Sequence, residues 1–86
     1  MNRWETGMLA KSLAGHDKNK IYVIANEDEA YVYLIDGNTK TFEKMKKKKK
    51  IHVQLIKKKF DINMKDNASV RCILEEYANR NEGGNL

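Results

Sequence analysis

Apolar residues recur along the first sixty positions in five short runs separated by polar turns, at a spacing of roughly ten residues, which is the rhythm of a small all-β barrel or sandwich. The first run is Met8-Leu9-Ala10-Lys11-Ser12. The second, Ile21-Tyr22-Val23-Ile24-Ala25, is β-branched and aromatic and therefore strand-forming, and it follows a turn-rich stretch that holds Gly15, Asp17 and Asn19. The third occupies residues 30–35 and runs into Asp36-Gly37, a pair whose tolerance of positive φ marks a hairpin turn. A fourth, weaker strand is expected over residues 39–43. A fifth is expected over residues 51–55, where Ile51, Val53 and Leu55 alternate with His52 and Gln54.

After Phe60 the period changes, because Val70, Ile73, Leu74 and Tyr77 fall at i, i+3, i+4 and i+7 and share one helical face. Asp66 or Asn67 can cap this helix, Glu76 can pair with Arg80 four residues later, and Gly83-Gly84 ends regular structure. A helix of about three turns is marginal alone, so its stripe must pack on the barrel or on a partner. The expected organisation is a strand domain over residues 1–60, a linker over 61–66, a helix over 67–80 packed on the barrel, and a flexible tail over 81–86. The fold class is mostly β, a small five-stranded SH3-like barrel with a short C-terminal α-helix.

The chain has 86 residues, which allows one domain and excludes a second core. Apolar residues make up 41% and charged residues 34%, leaving little area for a deep substrate pocket. No nucleophile, base or metal constellation stands out, so no enzyme activity and no cofactor are expected. Cys72 is the single cysteine and His16 and His52 the only histidines, so neither a disulfide nor a zinc site can be assembled. Cys72 falls opposite the apolar stripe and reads as incidental. The sequence lacks the apolar run of a membrane span or a signal peptide, and a cytoplasmic location is expected.

The net charge of +5 conceals an asymmetry. Nine lysines and no acid lie between Lys44 and Phe60, while the remaining eight basic residues face all twelve acidic ones. The basicity belongs to one segment, where Lys46 to Lys50 and Lys57 to Lys59 flank the fifth expected strand. A lysine run is also what a solvated loop looks like, but nine like charges in seventeen residues repel one another, a burden that a polyanion would relieve.

Residues 7–24, a strand, a glycine-containing loop and a second strand, resemble a KOW motif. Residues 29–55, with the Tyr31-Val32-Tyr33 strand, the Asp36-Gly37 turn, the lysine run and His52-Val53-Gln54-Leu55, resemble bacterial KOW-domain relatives of archaeal and eukaryotic large-subunit ribosomal proteins. The resemblance implies an SH3-like barrel, no catalysis, and ribosomal or other structured RNA as ligand. It makes His16, Lys18 and Lys20 contacts to phosphate or base. Gly15 suits the positive φ of a tight loop, and Asn19 departs from the glycine often found there while tolerating the same conformation. Asp17 is expected to fix the turn through its own backbone.

The expected RNA-binding residues are therefore Lys11, Gly15, His16, Lys18, Asn19 and Lys20 from the first hairpin, Lys46, Lys47, Lys48, Lys49 and Lys50 from the run, and Lys57 and Lys58 from the second cluster. Tyr31 and Tyr33 share one strand face, where they either stack on bases or cover the core beneath the helix. Trp4 is expected as an N-terminal plug. The alternative function is a protein-interaction adaptor of SH3-like fold docking an acidic partner. No small-molecule substrate is expected, and no membrane attachment, because the polybasic segment has no second anchor beside it. The sequence leaves the oligomeric state open.

Overall fold

β1 (Met8–Ser12), β2 (Ile21–Glu27), β3 (Tyr31–Ile35), β4 (Lys46–Lys49) and β5 (Val53–Lys59) form one antiparallel sheet in the order β4-β3-β2-β1-β5. A single 3-10 turn, Lys50–His52, joins the two edge strands, and the helix α1 (Asn67–Gly83) follows. These are the elements of a computed structural model that describes residues 3–62 and 66–83. The architecture is broadly the expected mostly-β, SH3-like one, with its edges bridged by a turn and no ladder between β4 and β5 among the described residues.

The sheet buries residues on both faces, and strand alternation divides those side chains between two clusters. Met8, Ala10, Tyr22, Ile24, Val32, Leu34 and Val53 form one cluster, with Trp4 and Leu55 packed against it; Trp4 thus takes the plugging position expected of it. Leu9, Val23 and Ile35 form the other, covered by Val70 and flanked by Ile73, Leu74 and Tyr77. The helical stripe therefore packs where its spacing requires. β1 sits second from the edge of the ladder, and three of its consecutive residues, Met8, Leu9 and Ala10, are buried. A bulge at Ala25, between the pairs Ile24 with Leu34 and Asn26 with Tyr33, bends β2 and lets the sheet curl.

Two expectations about strands are corrected. Residues 39–43 are not a strand: the Asp36 carboxylate accepts the amides of Asn38 (2.8 Å) and Lys40 (2.9 Å), and the amides of Asp36 and Gly37 both donate to the Lys40 carbonyl. The chain folds back on itself there, and no partner strand is presented. The fourth strand is the lysine run itself, paired with β3 from Tyr31 opposite Lys49 to Leu34 opposite Lys46. The fifth begins two residues later than expected, with Ile51 and His52 in the 3-10 turn, and extends through Lys57, Lys58 and Lys59. Lysine lacks the apolar alternation that announces a strand, yet it suits an exposed edge, where charge blocks pairing with another chain.

The helix starts as expected, with Asp66 Oδ1 accepting the Ala68 amide at 3.0 Å and Oδ2 the Ser69 hydroxyl at 3.1 Å. Arg80 pairs with Glu76 at 3.0 Å. The helix continues to Gly83, three residues past the expected end; linker residues 63–65 and tail residues 84–86 lie outside the described residues. Its first turn docks on the Asp36 loop: Asn67 Oδ1 accepts the Phe42 amide at 3.1 Å and Arg71 Nη1 donates to the Gly37 carbonyl at 2.6 Å. Gly37 has φ +79°, and the Asn67 carbonyl and Arg71 stand where its Cβ would be. Gly37→Ala should accordingly lower stability by about 1–3 kcal/mol, since both the conformation and the space favour glycine. Urea unfolding tests this against Cys72→Ala on the exposed helix face, which should change stability by less than about 0.5 kcal/mol.

Candidate nucleic-acid interface

The loop between β1 and β2 is closed by its own backbone. The Ser12 amide donates to the Lys20 carbonyl at 3.0 Å, the Asn19 amide to the Ser12 carbonyl at 2.7 Å and the Lys18 amide to the Gly15 carbonyl at 3.2 Å. Gly15 (φ 89°) and Asn19 (φ 76°) both take the left-handed conformation expected of them. Gly15, His16, Lys18 and Asn19 are exposed at its tip.

Asp17 points the other way. Its carboxylate accepts the Ser12 hydroxyl at 2.8 Å and the Tyr22 hydroxyl at 2.9 Å, and it receives Lys48 Nζ at 3.3 Å and Lys46 Nζ at 3.4 Å. Lys48 Nζ also donates to the Ala14 carbonyl at 3.0 Å. The expectation that Asp17 fixes the turn through its own backbone is corrected: its side chain ties the loop to β4, whose Lys48 lies 31 residues on. Burial pushes the carboxyl up, but the hydrogen bonds from Ser12, Tyr22 and Lys48 and the charge of Lys46 outweigh it and hold the group well below the usual carboxylate range. The Tyr22 phenol is correspondingly pushed up, by burial, by its bond to Asp17 and by the charges of Asp17 and Asp36.

β4 divides its lysines by alternation. Lys46 and Lys48 stand opposite Leu34 and Val32 and reach Asp17, while Lys47 and Lys49 stand opposite Tyr33 and Tyr31 and are exposed. Lys50 follows the strand and is bound by Glu27 at 2.8 Å, with its ammonium 5.5 Å from the Trp4 ring centroid. Lys20 is held by buried Asp36 at 2.6 Å. Burial raises the Asp36 carboxyl, yet the Lys20 ammonium and the amides of Lys40 and Asn38 lower it further, to about 2.

The structure thus brings together the loop and the first lysine run, and leaves three candidates apart. Lys11 lies on the opposite face of β1 from Ser12, in a groove with Ile21, Gln54, Ile56, Leu74, Tyr77 and Ala78. Lys57 and Lys58 lie at the far end of β5, about 13–17 Å along the strand from Val53, which pairs with Ser12 beside the loop. Among the described residues, Lys18, Lys47 and Lys49 form no salt bridge, although the Lys47 charge acts on Asp28, whereas Lys20, Lys46, Lys48 and Lys50 do. Sequence reasoning missed the acids that engage these four; a carboxylate whose partners are distant in the chain leaves no local signal.

No family model matches the sequence, and no curated protein is significantly similar to it. No described helix is long and apolar enough to cross a membrane.

Asp17 and Asp36 make stability depend on acid. A carboxyl whose folded pKa is depressed contributes stability that is complete above its unfolded value near ~4 and lost as pH falls through the folded value. The unfolding midpoint in urea should therefore hold from pH 7 to about 5 and fall steeply between about 4 and 2. Asp17→Asn should lose on the order of 2–3 kcal/mol at pH 7 and show a shallower fall below about pH 4, because the group that titrates is gone. An acid limb as steep as the wild type's would show that Asp17 does not carry it.

Proposed function

We propose that this chain is a non-catalytic, cytoplasmic RNA-binding module that takes ribosomal or another structured RNA. The observation that carries the reading is the fastening of the glycine-hinged loop to the lysine strand through Asp17 and Lys48, which holds a closed polar loop beside a strand of cations. The likeness of this loop and strand to KOW-domain proteins supports the same ligand. Lys18 at the loop tip, with the His16 ring and the Gly15 backbone next to it in the loop, and Lys47 and Lys49 on the outer face of β4 supply the ammonium groups outside the salt bridges. Lysine is a mobile point charge suited to phosphate, and it lacks the planar fork with which arginine reads bases.

In this reading the paired lysines build the scaffold and the unpaired ones bind. About three phosphates neutralised on single-stranded or irregular RNA give a slope of log affinity against log salt of ~−2. Filter binding across salt concentrations measures it, and a slope near zero sinks the proposal. Lys18→Gln and Lys49→Gln should each reduce the steepness by about 0.7 and leave the unfolding midpoint unchanged. Lys48→Gln should instead lower the midpoint, because Asp17 and the Ala14 carbonyl lose their shared donor.

A further inference from the structure

We infer that the outer face of β3 and β4, formed by Tyr31, Tyr33, Lys47 and Lys49, holds unpaired RNA nucleotides, with bases stacked on the tyrosine rings and phosphates on the two lysines. The inference rests on the RNA-binding reading and narrows it from structured RNA to the unpaired segments of such RNA.

The face is open because the helix covers only one end of it. Tyr31, Tyr33 and Ile35 lie on the same side of β3; Ile35 is buried under α1, whereas both tyrosines remain partly exposed. They do not cover the core beneath the helix. Alternate residues of a strand stand about 7 Å apart, a separation that lets neighbouring bases of an extended strand each find a ring. The cross-strand register sets Lys49 opposite Tyr31 and Lys47 opposite Tyr33, so that rings and lysines alternate on one outer face.

The site is also prepared in its details. Lys47 Nζ sits 4.3 Å from the Tyr31 ring centroid, a cation–π contact at an exposed position and therefore weak. A base arriving on that ring displaces the ammonium, which is then free to meet the adjoining phosphate. The Tyr33 hydroxyl donates to Asp28 Oδ2 at 2.8 Å, which fixes the ring's orientation. Asp28 keeps its charge, because the hydroxyl of Tyr33 and the amides of Tyr31 (2.8 Å) and Ala30 (3.1 Å) favour the ionised carboxylate, but the Lys47 charge offsets it, and the nearby Glu27 is bound to Lys50. Duplex RNA hides its base faces, so rings on an open strand face reward only bases that are already unstacked. An acidic peptide would use the lysines and leave the rings idle.

The test compares full-length wild type, Tyr31→Ala and Tyr31→Phe by fluorescence anisotropy, using a labelled unstructured RNA of about ten nucleotides and a duplex of the same length. Tyr31→Ala should weaken binding to the single strand about tenfold with its salt slope unchanged, leave the duplex unaffected, and be rescued by Tyr31→Phe, which keeps the ring. Equal affinity of Tyr31→Ala and wild type for the single strand, or an equal loss on both RNAs, overturns the inference, as does displacement of the RNA by polyglutamate at equal charge concentration. Urea unfolding of each variant confirms that the fold is retained, and Tyr31→Phe decides the matter should the alanine variant be unstable. Wild type that binds both RNAs with a steep salt slope and no dependence on Tyr31 sinks this inference alone; wild type that binds neither sinks the functional reading beneath it.

Discussion

A single carboxylate makes the lysine strand possible. Asp17 lies at the mouth of the inner core with two hydroxyls and two ammonium groups around it, and its side chain is only 12% exposed. A charge taken that far from water is tolerated only when its oxygens are engaged, and here Oδ1 accepts Ser12 and Lys48 and Oδ2 accepts Tyr22, with Lys46 beside it. The loop delivers it there: the left-handed residues Gly15 and Asn19 fold the chain back so that the side chain between them faces the sheet while the tip faces solvent. Five consecutive lysines would repel one another along an edge strand. With Lys46 and Lys48 sharing Asp17 and Lys50 drawn onto Glu27, two carboxylates offset part of the repulsion among the five lysines.

What the sequence revealed follows from what is local. The first three strands show themselves as short apolar runs between polar turns, β-branched or aromatic in the second and third, the helix shows its stripe and its Asp66 cap, and the left-handed positions show themselves by residue type. The fourth strand was illegible for a physical reason. Its strand character comes from pairing with β3 and from distant carboxylates, and a run of identical lysines carries no period of its own. Residues 39–43, with Thr39, Thr41 and Phe42, look more like a strand than the run does, yet the backbone there is claimed by Asp36 and by Asn67 from the helix. Tertiary hydrogen bonding overrode a weak propensity there.

Of the candidate interface, the loop conformation was legible and the distribution of charge was not. Counting residues gives nine cations in one segment, but the acids elsewhere are not spread evenly against them: Asp17, Glu27 and Glu5 each engage a lysine of that segment, and Asp36 engages Lys20 of the loop. The net negative remainder of the chain is thus partly the complement of the lysine segment, and the footprint available to a ligand is smaller than composition suggests.

That contraction changes what kind of recognition the surface can support. A solvated tract of lysines gathers any polyanion with an affinity set by charge alone. A strand sorts the same lysines by parity: the even-numbered pair on β4 is spent on the fold, and the odd-numbered pair is fixed beside two aromatic rings at the spacing of the pleat. Fixed spacing discriminates between ligands, because a polymer must match the positions of charge and ring together. Pairing half of the lysines internally therefore lowers the electrostatic attraction while making the remaining half geometrically particular, and Asp17 is the group on which both effects depend.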